Sequence, residues 1–253
     1  MEFLGADLLY ILQGFIFYAF GLKWCYEYAK PQIIPEQQEQ YDAGKIVGLR
    51  KKCCTFLRSV PLEGILKLTA TAIGLAGTLT THMIDFGAIS PKVANSTIYL
   101  FFAFSGLIDV LNFYFPYNVG NGLVKMGLVQ SFFVEGFLFM LNNIGHDFII
   151  NIFIAATAWM TSIAVTLELV WPEAKLLRAT MTLLQGTWTI HMVRASYFEI
   201  VPEVALVFTW HLAAAFAVIL CVVAVTRSCT SRMRFSNPPE IPVCNYQEYC
   251  DKI

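Results

Sequence analysis

Three carboxylates, Asp109, Glu135 and Glu168, stand inside long apolar runs of this chain, and Asn112, Gln185, His191 and His211 stand in similar runs. A charged side chain at membrane depth costs about 2.5–3.5 kcal/mol on insertion scales, so each such residue is a functional candidate. A carboxylate there must be protonated, paired or hydrogen-bonded. Three kinds of chemistry use these residue types. Glu135, Gln185 and His211 can hold helices together through buried hydrogen bonds, each contributing ~0.6–2 kcal/mol. Glu135 and His211 can exchange a proton along a small-solute pathway. A metal-dependent membrane hydrolase would need three ligands and an activated water. Within the outer part of the apolar runs only His191 and His211 are histidines, so no metal and no cofactor is expected. Soluble catalytic signatures are missing: the sequence has no Gly-x-Ser-x-Gly elbow, no Gly-rich phosphate loop, no His-Glu-x-x-His and no Cys-x-x-Cys.

The elements that must position these residues are membrane helices. The chain has 253 residues, 57% hydrophobic and 14% charged, with 21 Phe and a mean hydropathy of +0.60. Soluble domains carry roughly 25% charged residues. Long apolar runs predict spans at Phe3–Leu22, Leu62–Met83, Thr97–Phe115, Gly122–Leu141, Phe148–Val170, Leu177–Ala195 and Glu203–Val225. They are too long for the alternating strands, roughly ten residues each, of a membrane barrel. The expected fold is therefore all-α, a seven-transmembrane-helix bundle over residues 1–226 with a loop at 23–61, followed by a disordered tail at 227–253. Polar, turn-forming breaks such as Tyr117–Asn121, Asn142–Asp147 and Trp171–Glu173 suit short connections between antiparallel neighbours.

Basic residues orient the bundle. With the N-terminus away from the cytosol, the inner segments hold fourteen Lys and Arg and the outer segments only Lys92 and Arg194. That asymmetry predicts N-terminus out and C-terminus cytosolic. Met1–Asp7 has no basic stretch, so the first run reads as a retained helix rather than a cleaved signal. Asn95-Ser96-Thr97 is a glycosylation sequon in an expected outer loop. Cys53, Cys54 and Cys229 border the membrane on the expected cytosolic side, where palmitoylation or free thiols are both open. The near-neutral formal charge of −1, with no basic stripe, excludes nucleic acid as a partner. The bilayer is the expected partner, with other membrane proteins and further copies of the chain as open options.

Depth sorts the polar residues. At 1.5 Å per residue Glu135 lies ~9 Å, His211 ~12 Å and Gln185 ~15 Å below the outer ends of their helices, which allows one shared pocket. Asp109, ~18 Å from the outer face, needs another partner; with Asn112 it forms an inner polar node. Glu168 is expected to pair with Lys175 or Arg178 near the cytosolic surface.

The strings Tyr99–Leu111, Phe133-Val-Glu-Gly-Phe-Leu-Phe139, Leu183-Leu-Gln-Gly-Thr-Trp188 and Phe208-Thr-Trp-His211 resemble the transmembrane protein 45 family, also described as domain of unknown function 716. The resemblance runs from the first helix to the last and includes Glu63, Asp109, Glu135, Glu168, Gln185, Trp188, Trp210 and His211. It implies a multi-pass protein of the secretory and endolysosomal membranes, placed in Golgi, endosome, lysosome or plasma membrane, without an established reaction. It also implies a link to innate defence or trafficking, and Trp188 and Trp210 as aromatic support for the polar cluster. Members usually carry a His pair before the third span and a His-x-His-Gly-Arg stretch after the fourth. This chain has Ala94-Asn95 and Asn142–His146 instead, which argues against a metal-dependent activity.

Overall fold

A computed structural model describes residues 3–30, 60–80, 90–141, 148–198 and 201–236, with side chains at 8–30, 60–80, 90–141, 148–193 and 203–229. All regular structure among them is helical: α1 (Phe3–Ala29), α2 (Leu62–Thr80), α3 (Pro91–Tyr114), α4 (Pro116–Leu141), α5 (Phe148–Leu167), α6 (Ala174–Phe198) and α7 (Val201–Ser236). Six of them, α1 to α5 and α7, are long and apolar enough to cross a membrane. The sixth, α6, falls short because Lys175, Arg178, Gln185, His191 and Arg194 dilute its apolar residues.

Consecutive helices run antiparallel, as their contacts show. Lys67 of α2 meets Asp109 of α3, near the start of one and the end of the other. Between α3 and α4, the Ser131 hydroxyl donates to the Phe101 carbonyl at 2.9 Å. Between α4 and α5, Ser162 donates to the Val129 carbonyl at 3.1 Å. The Trp188 indole of α6 donates to the Ile150 carbonyl of α5 at 3.3 Å. Most remaining Ser and Thr hydroxyls return to a carbonyl of their own helix, Thr78 to Gly74 and Thr161 to Thr157 among them, which satisfies the hydroxyl without a partner helix.

The least apolar helix is among the most enclosed. α6 lies against α1, α5 and α7, and its Ala179, Thr182, Leu183, Leu184, Gln185, Trp188 and Thr189 are buried. Large apolar side chains such as Leu8, Phe15, Ile73, Leu79, Phe133, Leu206 and Phe216 point outward instead. This arrangement inverts the soluble pattern and suits a lipid surround.

Helix ends differ from the hydropathy limits because backbone hydrogen bonding continues where apolarity stops. α1 continues to Ala29 rather than Leu22, and α3 begins at Pro91 rather than Thr97. α7 reaches Ser236, so the start of the expected disordered tail at residue 227 falls within a helix. Most of the loop at 23–61, the segment 142–147 and residues 237–253 lie outside the described residues, as do Cys53 and Cys54. The expected turn at Tyr117–Asn121 is a break inside α4. Gly120 there has φ 68° and ψ 151°, a left-handed value that favours a residue without Cβ.

Candidate functional site

Two glycines set up the polar centre. A Cβ on Gly14 of α1 would lie 2.6 Å from the Gly186 carbonyl oxygen, and one on Gly186 of α6 would lie 2.5 Å from the Tyr18 amide nitrogen. Small residues permit backbones to approach this closely in a membrane bundle. The crossing holds the adjacent residues Gln13 and Gln185 at one level, where both reach the Glu135 carboxyl of α4. The Gln13 amide donates from Nε2 to Glu135 Oε1 at 3.0 Å. Gln185 lies beside the same carboxyl, yet neither of its amide atoms, nor Glu135 Oε2, closes a hydrogen bond with a described residue. Glu135 and Gln185 are both fully buried. The node can therefore receive or give further hydrogen bonds.

His211 belongs to a separate cluster. Its ring lies 5.7 Å from that of Trp188 and 5.0 Å from that of His191, and Trp188 stacks on His191 at 5.4 Å. Phe153 and Phe208 complete this group, stacked at 4.3 Å. Trp188 follows Gln185 by three residues, which moves the histidines ~4.5 Å or more along the axis from the carboxamides. The shared pocket of Glu135, Gln185 and His211 is thus corrected to two adjoining clusters. Side-chain direction around the helix, which depth alone does not contain, separates them. Trp210 is 69% exposed and faces away from both clusters, so of the two expected aromatic supports only Trp188 is in place.

A charged layer forms a third site toward one end of the bundle. Lys67 Nζ donates to Asp109 Oδ2 at 2.6 Å and lies 3.3 Å from Glu63 Oε1. Glu63 also bonds Lys23, which pairs with Glu27 at 2.7 Å. Across the bundle Arg178 reaches Glu168 at 2.8 Å and places its guanidinium 4.2 Å above the Trp24 ring. Lys125 Nζ donates to the Glu168 backbone carbonyl at 2.9 Å. Of the two expected partners, Glu168 takes Arg178, while Lys175 lies 4.0 Å from Glu27. Asp109 is paired with Lys67, and Asn112, half-buried one turn on, has no hydrogen bond to it.

Sequence reasoning overlooked Gln13 and the partnership of Lys67. Gln13 is a lone amide in the middle of a Leu/Phe-rich run, the same signal that marked Gln185. Lys67 stands inside the second expected span, and a lysine one turn after Glu63 and inside an apolar run signals a buried acid nearby.

Among the modification candidates, Cys229 is exposed with a free thiol. The Asn95 sequon lies on the first turns of α3 rather than in a loop, and its Thr97 hydroxyl donates to the Val93 carbonyl at 2.7 Å. Among the described residues no three His, Cys, Asp or Glu gather as a metal site requires. No family model matches this chain, and no solved structure matches it.

Proposed function

We propose that the chain is a seven-span integral membrane protein, N-terminus lumenal or extracellular and C-terminus cytosolic, that works through contacts made inside the bilayer. The observation that carries this reading is the placement of α6. It runs antiparallel alongside α1 from Gly186 opposite Gly14 to Glu173, whose carboxylate accepts from the Tyr28 hydroxyl at 2.5 Å. That pairing covers fifteen residues of α1, from Gly14 to Tyr28, or ~21 Å along the axis at 1.5 Å per step. A helix so placed shares the depth of α1, and its buried polar face explains why its composition is the least apolar. The described Lys and Arg side chains other than Lys92 gather toward the end that carries Lys23, Lys125 and Arg178, which supports assigning that end to the cytosol.

The resemblance to the transmembrane protein 45 family supplies the proposed setting, the Golgi, endosomes and lysosomes or the plasma membrane, and a role in innate defence or trafficking. Direct proton exchange between Glu135 and His211 would need the two side chains within hydrogen-bond reach. Their separate clusters favour structural and binding roles over a carrier mechanism.

Topology mapping tests the reading. Acceptor sites for N-glycosylation placed at 142–147 should be modified and those at 23–61 should not. Cysteines substituted for Glu173, just before α6, and Glu203, in the first turn of α7, should react with an impermeant thiol reagent from opposite sides of the membrane. Labelling of both from one side, or glycosylation of the first long loop, overturns it.

A further inference from the structure

Helices α1 and α2 touch at Lys23 with Glu63 near one end and at Leu9 with Gly77 near the other. Between those points Leu12, Ile16, Ala70, Phe102 and Phe132 wall a crevice of about 630 Å³ of empty space, counted to its open side. Four helices contribute to it, and its surface is almost wholly apolar. From Leu12 to Trp24 it follows thirteen residues of α1, a length of ~18 Å at 1.5 Å per step. Half the hydrocarbon core of a bilayer is ~15 Å thick. The crevice therefore has the length and polarity of one leaflet's acyl chain.

Its charged end indicates which lipid. Lys67 is a wall residue there, 6% exposed. Around it stand two further cations, Lys23 and, 4.0 Å from Glu27, Lys175, and three carboxylates, Glu27, Glu63 and Asp109. An anionic headgroup would add net negative charge where three acids and three amines already balance. A headgroup with both a phosphate and an ammonium can meet the lysines and the acids together.

We propose that the crevice between α1 and α2 is a binding site for a zwitterionic phospholipid, one acyl chain lying against Ile16 and Ala70 and the headgroup at Lys23, Lys67 and Glu27. The site rests on the reading that α1 to α4 span the bilayer, and the contacts it needs are independent of the seven-span count and of orientation.

The test uses the full chain in phosphatidylcholine nanodiscs carrying a trace of phosphatidylcholine with a diazirine at mid-chain. After irradiation, labelled peptides are mapped by mass spectrometry. Label should concentrate on residues 12–24 and 67–74 relative to equally exposed apolar positions on α7. Ala70→Trp should reduce it at least fivefold by filling the crevice, and Ile16→Trp should do the same from the opposite wall. Ala72→Trp, on the exposed face of α2 outside the crevice, should leave it unchanged. Monodisperse elution and unchanged helicity identify which variants are folded, and either crevice variant suffices. Label spread over all outward apolar faces, or crevice label that survives the tryptophans, overturns the site. Equal or stronger labelling by a phosphatidylglycerol probe overturns the headgroup assignment. Topology mapping reads the span count separately, so a wrong topology with an intact crevice signal is recognisable.

Discussion

Replacing Gly186 with alanine adds one methyl at the point where α1 and α6 cross. The new Cβ would sit 2.5 Å from the Tyr18 amide nitrogen and 2.6 Å from the Gly14 carbonyl oxygen, while ordinary contact begins at 3.4 Å. The deficit is about 0.9 Å against two backbone atoms, which have no rotamer to yield. Overpacking of this kind costs ~1–3 kcal/mol. Moving α1 away also stretches the 3.0 Å bond from Gln13 to Glu135, and a buried group left unpaired costs ~1–3 kcal/mol. Since the helices can relax partly, we expect Gly186→Ala to destabilise the bundle by ~2–4 kcal/mol. Unfolding in mixed micelles by added SDS measures it, followed through the fluorescence of the buried Trp24 and Trp188. Gly122→Ala is the control: nothing lies within 4 Å of its Cβ, and the helix propensity gain is up to ~1 kcal/mol. Gly14→Ala should cost a similar amount to Gly186→Ala, and the double variant less than the sum because both press on one crossing. If Gly186→Ala is as stable as Gly122→Ala, the close crossing and the node built on it are refuted.

Other perturbations address the remaining sites. Lys67→Met leaves Asp109 without its buried cation and should cost ~3–5 kcal/mol in the same unfolding assay, while Lys67→Met with Asp109→Leu should recover much of that loss. Glu135→Gln keeps an acceptor for Gln13 and should stay within ~1 kcal/mol of the parent, whereas Glu135→Leu strands the Gln13 amide and should cost ~1–3 kcal/mol. Arg178→Lys keeps a charge for Glu168 but removes the guanidinium from the Trp24 face, an interaction worth ~0.5–2 kcal/mol, and should shift the Trp24 emission. Gly120→Ala forces a side chain into a positive-φ conformation open essentially to glycine alone and should destabilise by ~1–3 kcal/mol, visible as lower helicity or a lower unfolding midpoint.

The sequence was most informative where single residues act alone. Apolar runs located all seven described helices, with limits displaced by six or seven residues at the end of α1 and the start of α3. Those displacements arise at Lys23, Trp24 and Glu27, and again at Lys92 and Asn95, where the chain remains helical although its residues are polar. The polar residues at membrane depth were also legible, because an isolated Glu or Gln among Leu and Phe is conspicuous. Of their partners, Arg178 for Glu168 was legible, and those of Asp109, Glu135 and Gln185 were not. Depth along the axis suggested that Glu135, Gln185 and His211 meet, but contact also requires the right azimuth. Gln185 and His191 differ by six residues, about 240° around a helix, so they serve different neighbours. The same helical phase turns Trp210 outward while its neighbour His211 packs on Trp188.

The apolar character of the described helices, their places along the chain and the positions where charge is costly follow from transfer free energies, which each residue carries wherever it is placed. The close crossing of Gly14 and Gly186, the Gln13–Glu135 bond, the Lys67–Asp109 pair and the crevice beside α1 are properties of how helices stack. No local term fixes which face of α1 meets α6. Only packing the whole bundle does so, because a backbone can approach another closely only where both helices present their small residues at the same level.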